Sequence, residues 1–286
     1  MLASLNCIPC ILRSALLATK LSGVDEETQE KVMKNVLQQI SEMDLKQTPP
    51  EITQKIQGFI REITGIPDPY HKAKESLNLN ALQLYPELKA MVRAGPNPLL
   101  LAVRLAITGN ALDMGANGNM NSHTIHDALK KTLQDPFEGD FDEFAQAISE
   151  AKTILYLADN SGEIVFDRVL IEQLLPKRIT LAVRGGPTLN DATLLDAQMV
   201  GLDKLVGVID NGFDAPGTIL KRCSPKFLDY YWKADLIIAK GQGNYETLNT
   251  VPANIFFLFK TKCDVIKDLI NQPLGTQVLY RSKWES

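Results

Sequence analysis

Four polar clusters in the C-terminal half carry residue types suited to phosphate-ester chemistry. They are Asp159-Asn160-Ser161-Gly162-Glu163, Arg184-Gly185-Gly186-Pro187-Thr188-Leu189-Asn190-Asp191, Asp210-Asn211-Gly212 and Lys240-Gly241-Gln242-Gly243-Asn244-Tyr245-Glu246. Asp159, Asn160 and Asp191 offer only oxygen donors, which suits a hard divalent cation such as Mg²⁺ or Mn²⁺ better than a thiolate-seeking metal. Lys240 offers a positive charge to a phosphate, and the glycines let backbone N–H groups approach an anion at a helix start. Together these residues imply metal-assisted phosphate-ester chemistry.

Each piece also has a plain structural reading. Asn160 followed by Glu163 has capping-box spacing, and Asn190 or Asp191 can N-cap the next helix. There is no GxxxxGK[ST] loop, and the stretch from Gly241 to Glu246 lacks the third glycine of GxGxxG, so nucleotide binding by the familiar loops is unsupported. His71, His123 and His126 all fall in the N-terminal half, which excludes a Ser-His-Asp triad built wholly on the other half. His123 and His126, spaced i, i+3, read as a solvated polar face in the absence of a third ligand. Cys7-Ile8-Pro9-Cys10 is a CxxC pair for which metal, redox and buried-thiol readings all stand open, whereas Cys223 and Cys263 read as packing residues.

The elements that must position the four clusters set the functional reading apart from the structural one. Apolar β-like runs over 153–158, 179–183, 205–209, 236–239, 254–259 and 277–280 alternate with helix-like stretches over 164–175, 191–200, 225–233 and 263–271. This alternation predicts a doubly wound, mostly parallel sheet. Ligands bind at the carboxyl ends of such strands, so Asp159, Asn160, Asp191 and Lys240 are expected on one rim. Before residue 150 the apolar period is helical, with helices expected over 51–64, 81–93, 98–113 and 141–151 and a Gly/Asn-rich loop at 115–119. The expected fold class is α/β: a helical N-terminal domain, 1–150, packed on a Rossmann-like three-layer α/β domain, 151–286.

The chain has 286 residues and a formal net charge of −4. A mildly acidic chain with no dense basic stripe argues against nucleic acid as a partner. No apolar run reaches the roughly 18 residues needed to span a bilayer, so no membrane partner is expected. Asn6, Pro9 and Arg13 interrupt the first residues too early for a signal peptide, and four cysteines are too few for a disulfide framework. The expected location is cytoplasmic.

At these motifs the sequence resembles the damage-control metal-dependent phosphatases, also called the acidic-residue methyltransferase-like domain and formerly a domain of unknown function. The resemblance is carried by Asp159-Asn-Ser-Gly-Glu163 with Asp167, by Val183-Arg-Gly-Gly-Pro-Thr-Leu-Asn-Asp-Ala-Thr193 with Asp196, and by Ala234 to Glu246. A segment Gly109-Asn110-Ala-Leu-Asp113 is also similar, and the CxxC resembles the branch found mainly in bacteria and archaea. The resemblance implies a divalent metal (Mn²⁺, Mg²⁺, Co²⁺ or Ni²⁺) held by Asp159, Asn160 and Asp191, and hydrolysis of small phosphate monoesters such as sugar phosphates and related, sometimes damaged, metabolites. Asp159 or Asp191 would align or deprotonate a water, and Lys240 would balance charge. Gly162, Glu163, Arg184, Gly241 and Asn244 would contact substrate, with Asn110 and Asp113 closing the site. Two other functions compete: an S-adenosylmethionine-dependent carboxyl methyltransferase and a non-catalytic metal- or metabolite-binding module.

Overall fold

A computed structural model describes residues 1–109 and 133–282. Asn110, Asp113, His123, His126 and the 115–119 loop lie outside the described residues. Three helices come first, α1 (Ile8–Leu21), α2 (Glu26–Ser41) and α3 (Pro49–Thr64). Thr48 and Glu51 form a capping box at the start of α3, Pro49 occupies its first turn, and Gly65 ends it in the left-handed region at φ 69°. The apolar stripes of α1–α3 meet in a cluster of their own, which includes Ile11, Ala15, Val32, Val36, Ile56 and Ile60.

Two longer helices follow, α4 (His71–Ala94) and α5 (Pro98–Gly109), and then the α/β part. Its order is β1 (Phe137–Gly139), α6 (Phe141–Glu150), β2 (Thr153–Leu157), α7 (Glu163–Leu174), β3 (Arg178–Val183), α8 (Leu194–Met199), β4 (Gly207–Asp210), α9 (Pro225–Lys233), β5 (Leu236–Lys240), α10 (Gly241–Leu248), β6 (Ile255–Lys260), α11 (Asp264–Ile270) and β7 (Gln277–Arg281). The strands form one sheet in the order β1-β7-β6-β5-β2-β3-β4, parallel throughout except that β7 runs antiparallel to β6.

Strand parity explains the layers. Ile154 and Tyr156 of β2, Leu236 and Ile238 of β5, and Phe256 and Leu258 of β6 share one face with α4, α5 and α7. The alternate residues Leu155, Leu157, Ile237, Ala239, Phe257 and Phe259 share the other with Phe227, Tyr231, Leu248 and Ile266 of α9, α10 and α11. The first of these cores joins Leu84, Leu88 and Val103 to sheet residues, so it draws on both sides of position 150. Among the described residues no helix is long and apolar enough to cross a membrane.

Three elements differ from the sequence expectation. β1 puts a short strand in the otherwise helical half, at the sheet edge beside β7. α4 begins at His71 rather than near 81, because its buried stripe turns polar at Lys74 and Asn78 and so hides the apolar period. α10 occupies what reads as a Gly-rich loop, because Gly241, at φ 78°, turns the chain straight from β5 into a helix.

Candidate active site

The chain runs outward from β2 through β3 to β4, then returns to the other side of β2 to form β5 and β6. The β2/β5 boundary is therefore the topological switch point, where an open α/β sheet leaves a crevice. Asp159 and Asn160 follow β2 there, and Gly241 follows β5. The Gly241 backbone lies so close to Asp159 that a Cβ at position 241 would overlap its carboxylate. A Gly241→Ala substitution is also strained by the positive φ, and it is expected to displace Asp159 and reduce activity about 10²-fold. Steady-state rates on folded protein check this.

Backbone pairing brings the second acid alongside the first. Ser161 N–H donates to Asn190 O at 2.8 Å and Ala192 N–H to Asp159 O at 2.8 Å, zipping the loops after β2 and β3 around an Asn160–Asp191 bridge. Arg184, at the end of β3, is 2% exposed. Its Nε donates to Asp191 Oδ2 at 2.7 Å, its Nη2 lies 3.5 Å from Asp159 Oδ1, and its Nη1 donates to Asn244 Oδ1 at 3.1 Å. Asn244 in turn donates to Lys240 O at 2.7 Å. Arg184 and Asn244, both read from sequence as substrate contacts, are thus buried brackets that tie three strand-end loops together.

Lys240 also differs from its expected role. It lies on the same strand parity as Leu236 and Ile238, so its side chain enters the core instead of facing the rim. Its Nζ has no exposure and donates to Ala106 O at 2.8 Å, Glu163 Oε1 at 2.6 Å and Asp167 Oδ1 at 2.7 Å. Those three bonds use all of its protons, leaving none for a phosphate. Glu163, buried beside it, accepts from Asn160 Nδ2 at 3.1 Å through its other oxygen. Asn160 Nδ2 also donates to Asp159 Oδ2 at 2.7 Å, so the carboxamide oxygen is the atom turned away from both acids. The Asn160–Glu163 spacing is therefore no capping box; the capping box of this region is Thr193 with Asp196. The Gly162 N–H is likewise taken, by Asn78 Oδ1 at 2.7 Å.

A supporting set from α4 escapes the sequence reading. Asn78 Nδ2 and Ser161 Oγ both donate to Asp196 Oδ1, at 2.8 and 2.9 Å, and Lys74 Nζ pairs with Asp196 Oδ2 at 3.0 Å. Lys74, Asn78, Ala81, Leu88 and Val92 are all buried on one stripe of α4. Polar residues at the head of an apolar stripe are the signal that could have found them. Arg61 of α3 adds a latch: it pairs with Asp214 and donates to Pro187 O at 2.9 Å, holding the loop that carries Asp191.

Asp159, Asn160, Ser161, Asn190 and Asp191 open onto a cleft of about 830 Å³ between the sheet rim and the first helices. Lys260, the last residue of β6, and Lys262, two residues beyond it, line it as well. Burial raises Asp159 well above the ordinary carboxylate range, with Glu163 and Asp191 adding to the rise. Burial also lifts Asp191 to about 6 against the opposing pull of Arg184, and Asp167 to about 6 against Lys240. Glu246 on the cleft wall is raised to about 7 by burial.

These folded-state acids hold protons more tightly than the unfolded chain, so the metal-free protein gains stability as pH falls through about 6 and loses it as pH rises. Its unfolding temperature is expected to drop by several degrees between pH 5 and pH 7 in chelator. Saturating Mn²⁺ should flatten that slope, because a cation takes the place of the protons. Thermal unfolding at both pH values with and without Mn²⁺ checks this.

The donor set fits a hard cation. Four buried carboxylates, Asp159, Glu163, Asp167 and Asp191, crowd around two buried cations, Arg184 and Lys240, with Lys262 acting on Asp159 and Glu163 as well. Among the described residues no three His, Cys, Asp or Glu side chains form a ready cage, so the cleft-facing set is two acids and one amide.

The chain is similar to known proteins over most of its length. Residues 3–278 match the damage-control phosphatase ARMT1-like domain. The chain is 31% identical over 278 residues to a damage-control phosphatase of Archaeoglobus fulgidus, covering 95% of this chain and 96% of that protein. It is 38% identical over 190 residues to damage-control phosphatase PH1575 of Pyrococcus horikoshii, covering 65% of this chain and 66% of that protein. The crystal structure of that Pyrococcus protein, described as a DUF89 family protein, superposes with a TM-score of 0.91 at 30% identity, covering 99% of this chain and all of that one. These homologues support a phosphatase role, and the chain belongs to the damage-control phosphatase ARMT1-like domain family.

Proposed function

We propose that this chain is a metal-dependent phosphatase of small phosphate monoesters, the class in which the family resemblance places sugar phosphates and related or damaged metabolites. The observation that carries the reading is the pair of buried carboxylates at the switch point, Asp159 and Asp191, which lie side by side on the cleft with the Asn160 amide. Asp159, Asn160 and Asp191 would hold a divalent cation, which would supply Lewis-acid chemistry to a phosphate oxygen and a water. Asp159 or Asp191 would orient a water and accept its proton. Arg184 fixes Asp191, while Lys240 fixes Glu163 and, through it, the Asn160 amide. Lys262 also lines the cleft, where its charge acts on Asp159 and Glu163.

The proposed partner is a small phosphorylated metabolite in the cytoplasm rather than nucleic acid or a membrane. The test is a screen of purified protein against phosphorylated metabolites with Mg²⁺, Mn²⁺, Co²⁺ or Ni²⁺. Cation-dependent phosphate release from one class of compound is expected; no release with any cation, or tight S-adenosylmethionine binding without metal, would contradict the reading.

A further inference from the structure

The cleft has two unlike walls. Asp159, Asn160, Asp191 and Lys262 line the sheet rim, and the wall facing it is built from Leu17, Leu21, Pro49, Pro50 and Leu189. Leu17 and Leu21 stand one helical turn apart on α1 and are 45% and 37% exposed. A leucine pair left open inside a cleft gains free energy when a ligand covers it.

Leu189 makes the same point through its backbone. It is one of two non-glycine residues with positive φ among the described residues, at 45°. A branched side chain in that region is strained, and such strain concentrates where a site needs a residue held in one place. Leu189 packs against the α1–α3 cluster and stands two residues before Asp191, so it carries the apolar wall up to the acid.

Groups that could meet hydroxyls line other parts of the cleft, at Asn190, Gln242, Glu246, Lys260 and Thr261, and the leucine wall itself offers few. Among the described residues its hydroxyls are those of Thr53, which is 8% exposed, and Tyr70, whose OH already donates to Ser14 O at 3.3 Å. Among the described residues, a hydroxyl set against Leu17, Leu21 or Leu189 would lose water without gaining a partner from those side chains.

We infer that the site prefers phosphate monoesters whose alcohol carries an apolar chain or ring, with the phosphate at the Asp159–Asp191 end and the apolar body against Leu17, Leu21 and Leu189. This rests on the phosphatase reading above and narrows its substrate class.

The test is kcat/KM of the Mn²⁺-loaded protein on n-alkyl phosphates from methyl to hexyl, beside glycerol 3-phosphate and glucose 6-phosphate. The expected rise is roughly three- to fourfold per methylene over the first few carbons, with hexyl phosphate at least about tenfold above glucose 6-phosphate. The double variant Leu17→Asn/Leu21→Asn, at exposed positions and checked for folding by thermal unfolding, should flatten that slope. Hydrolysis with a flat series, or with the sugar phosphate preferred, would overturn this inference and leave the phosphatase reading intact. An unchanged slope in the double variant would overturn the assignment of the α1 wall. No release from any ester with any of the four cations would overturn the phosphatase reading itself and this inference with it.

Discussion

Asp159→Asn lowers phosphate release by about 10³-fold or more, because it removes one of the two carboxylates that hold the cation and orient the water. The same substitution should leave the metal-free protein as stable as the parent or more so. Asp159 is buried beside Glu163 and Asp191, both of which disfavour its charged form, while Arg184 keeps its 2.7 Å bond to Asp191 without it. Steady-state kinetics with Mn²⁺ and thermal unfolding in chelator separate the two effects. An inactive variant that had also lost stability would assign Asp159 a structural role instead.

Lys240→Met has the second large effect, and it acts on folding. Removing the cation leaves Glu163 and Asp167 buried at 1% and 0% exposure without the ammonium that pairs with both. Breaking a buried pair from one side costs about 3–5 kcal/mol, a large share of the ~5–15 kcal/mol that holds a typical domain together. Denaturant unfolding should register that loss. The triple variant Lys240→Met/Glu163→Gln/Asp167→Asn, in which the uncompensated charges are gone, should recover most of it. A Lys240→Met protein of unchanged stability with only a raised KM would restore the lysine to the phosphate.

Much of this arrangement is legible before any coordinates. The β/α alternation after residue 150 reflects strands buried on both faces, and the rule that ligands gather at strand ends leads directly to Asp159, Asn160 and Asp191. That same rule puts Lys240 on the rim, whereas the residue ends a strand yet keeps the parity of Leu236 and Ile238 and so points inward. Applying the parity test to β5 would have found this. The strand-end rule, extended to the run ending at Phe259, reaches Lys260 and Lys262.

Lys74 and Asn78 are harder to see. A polar residue on an apolar stripe reads as the end of a helix until a partner such as Asp196, 122 and 118 positions away, shows that it is satisfied. Gly162, Arg184 and Asn244 have residue types suited to anions, but the Gly162 N–H is taken by Asn78, the Asn244 amide by Lys240 O, and Arg184 is buried with its Nε on Asp191. Only tertiary pairing reveals that.

The most direct measurement is phosphate release from p-nitrophenyl phosphate by chelator-stripped protein, followed as Mn²⁺ is added while bound Mn²⁺ is counted on the same sample. The arrangement of Asp159, Asn160 and Asp191 predicts negligible release without the cation and a rate that rises in proportion to occupancy. Both should be lost in Asp159→Asn and Asp191→Asn. Full turnover in the stripped protein, or unaltered Mn²⁺ binding and rate in either variant, would contradict it.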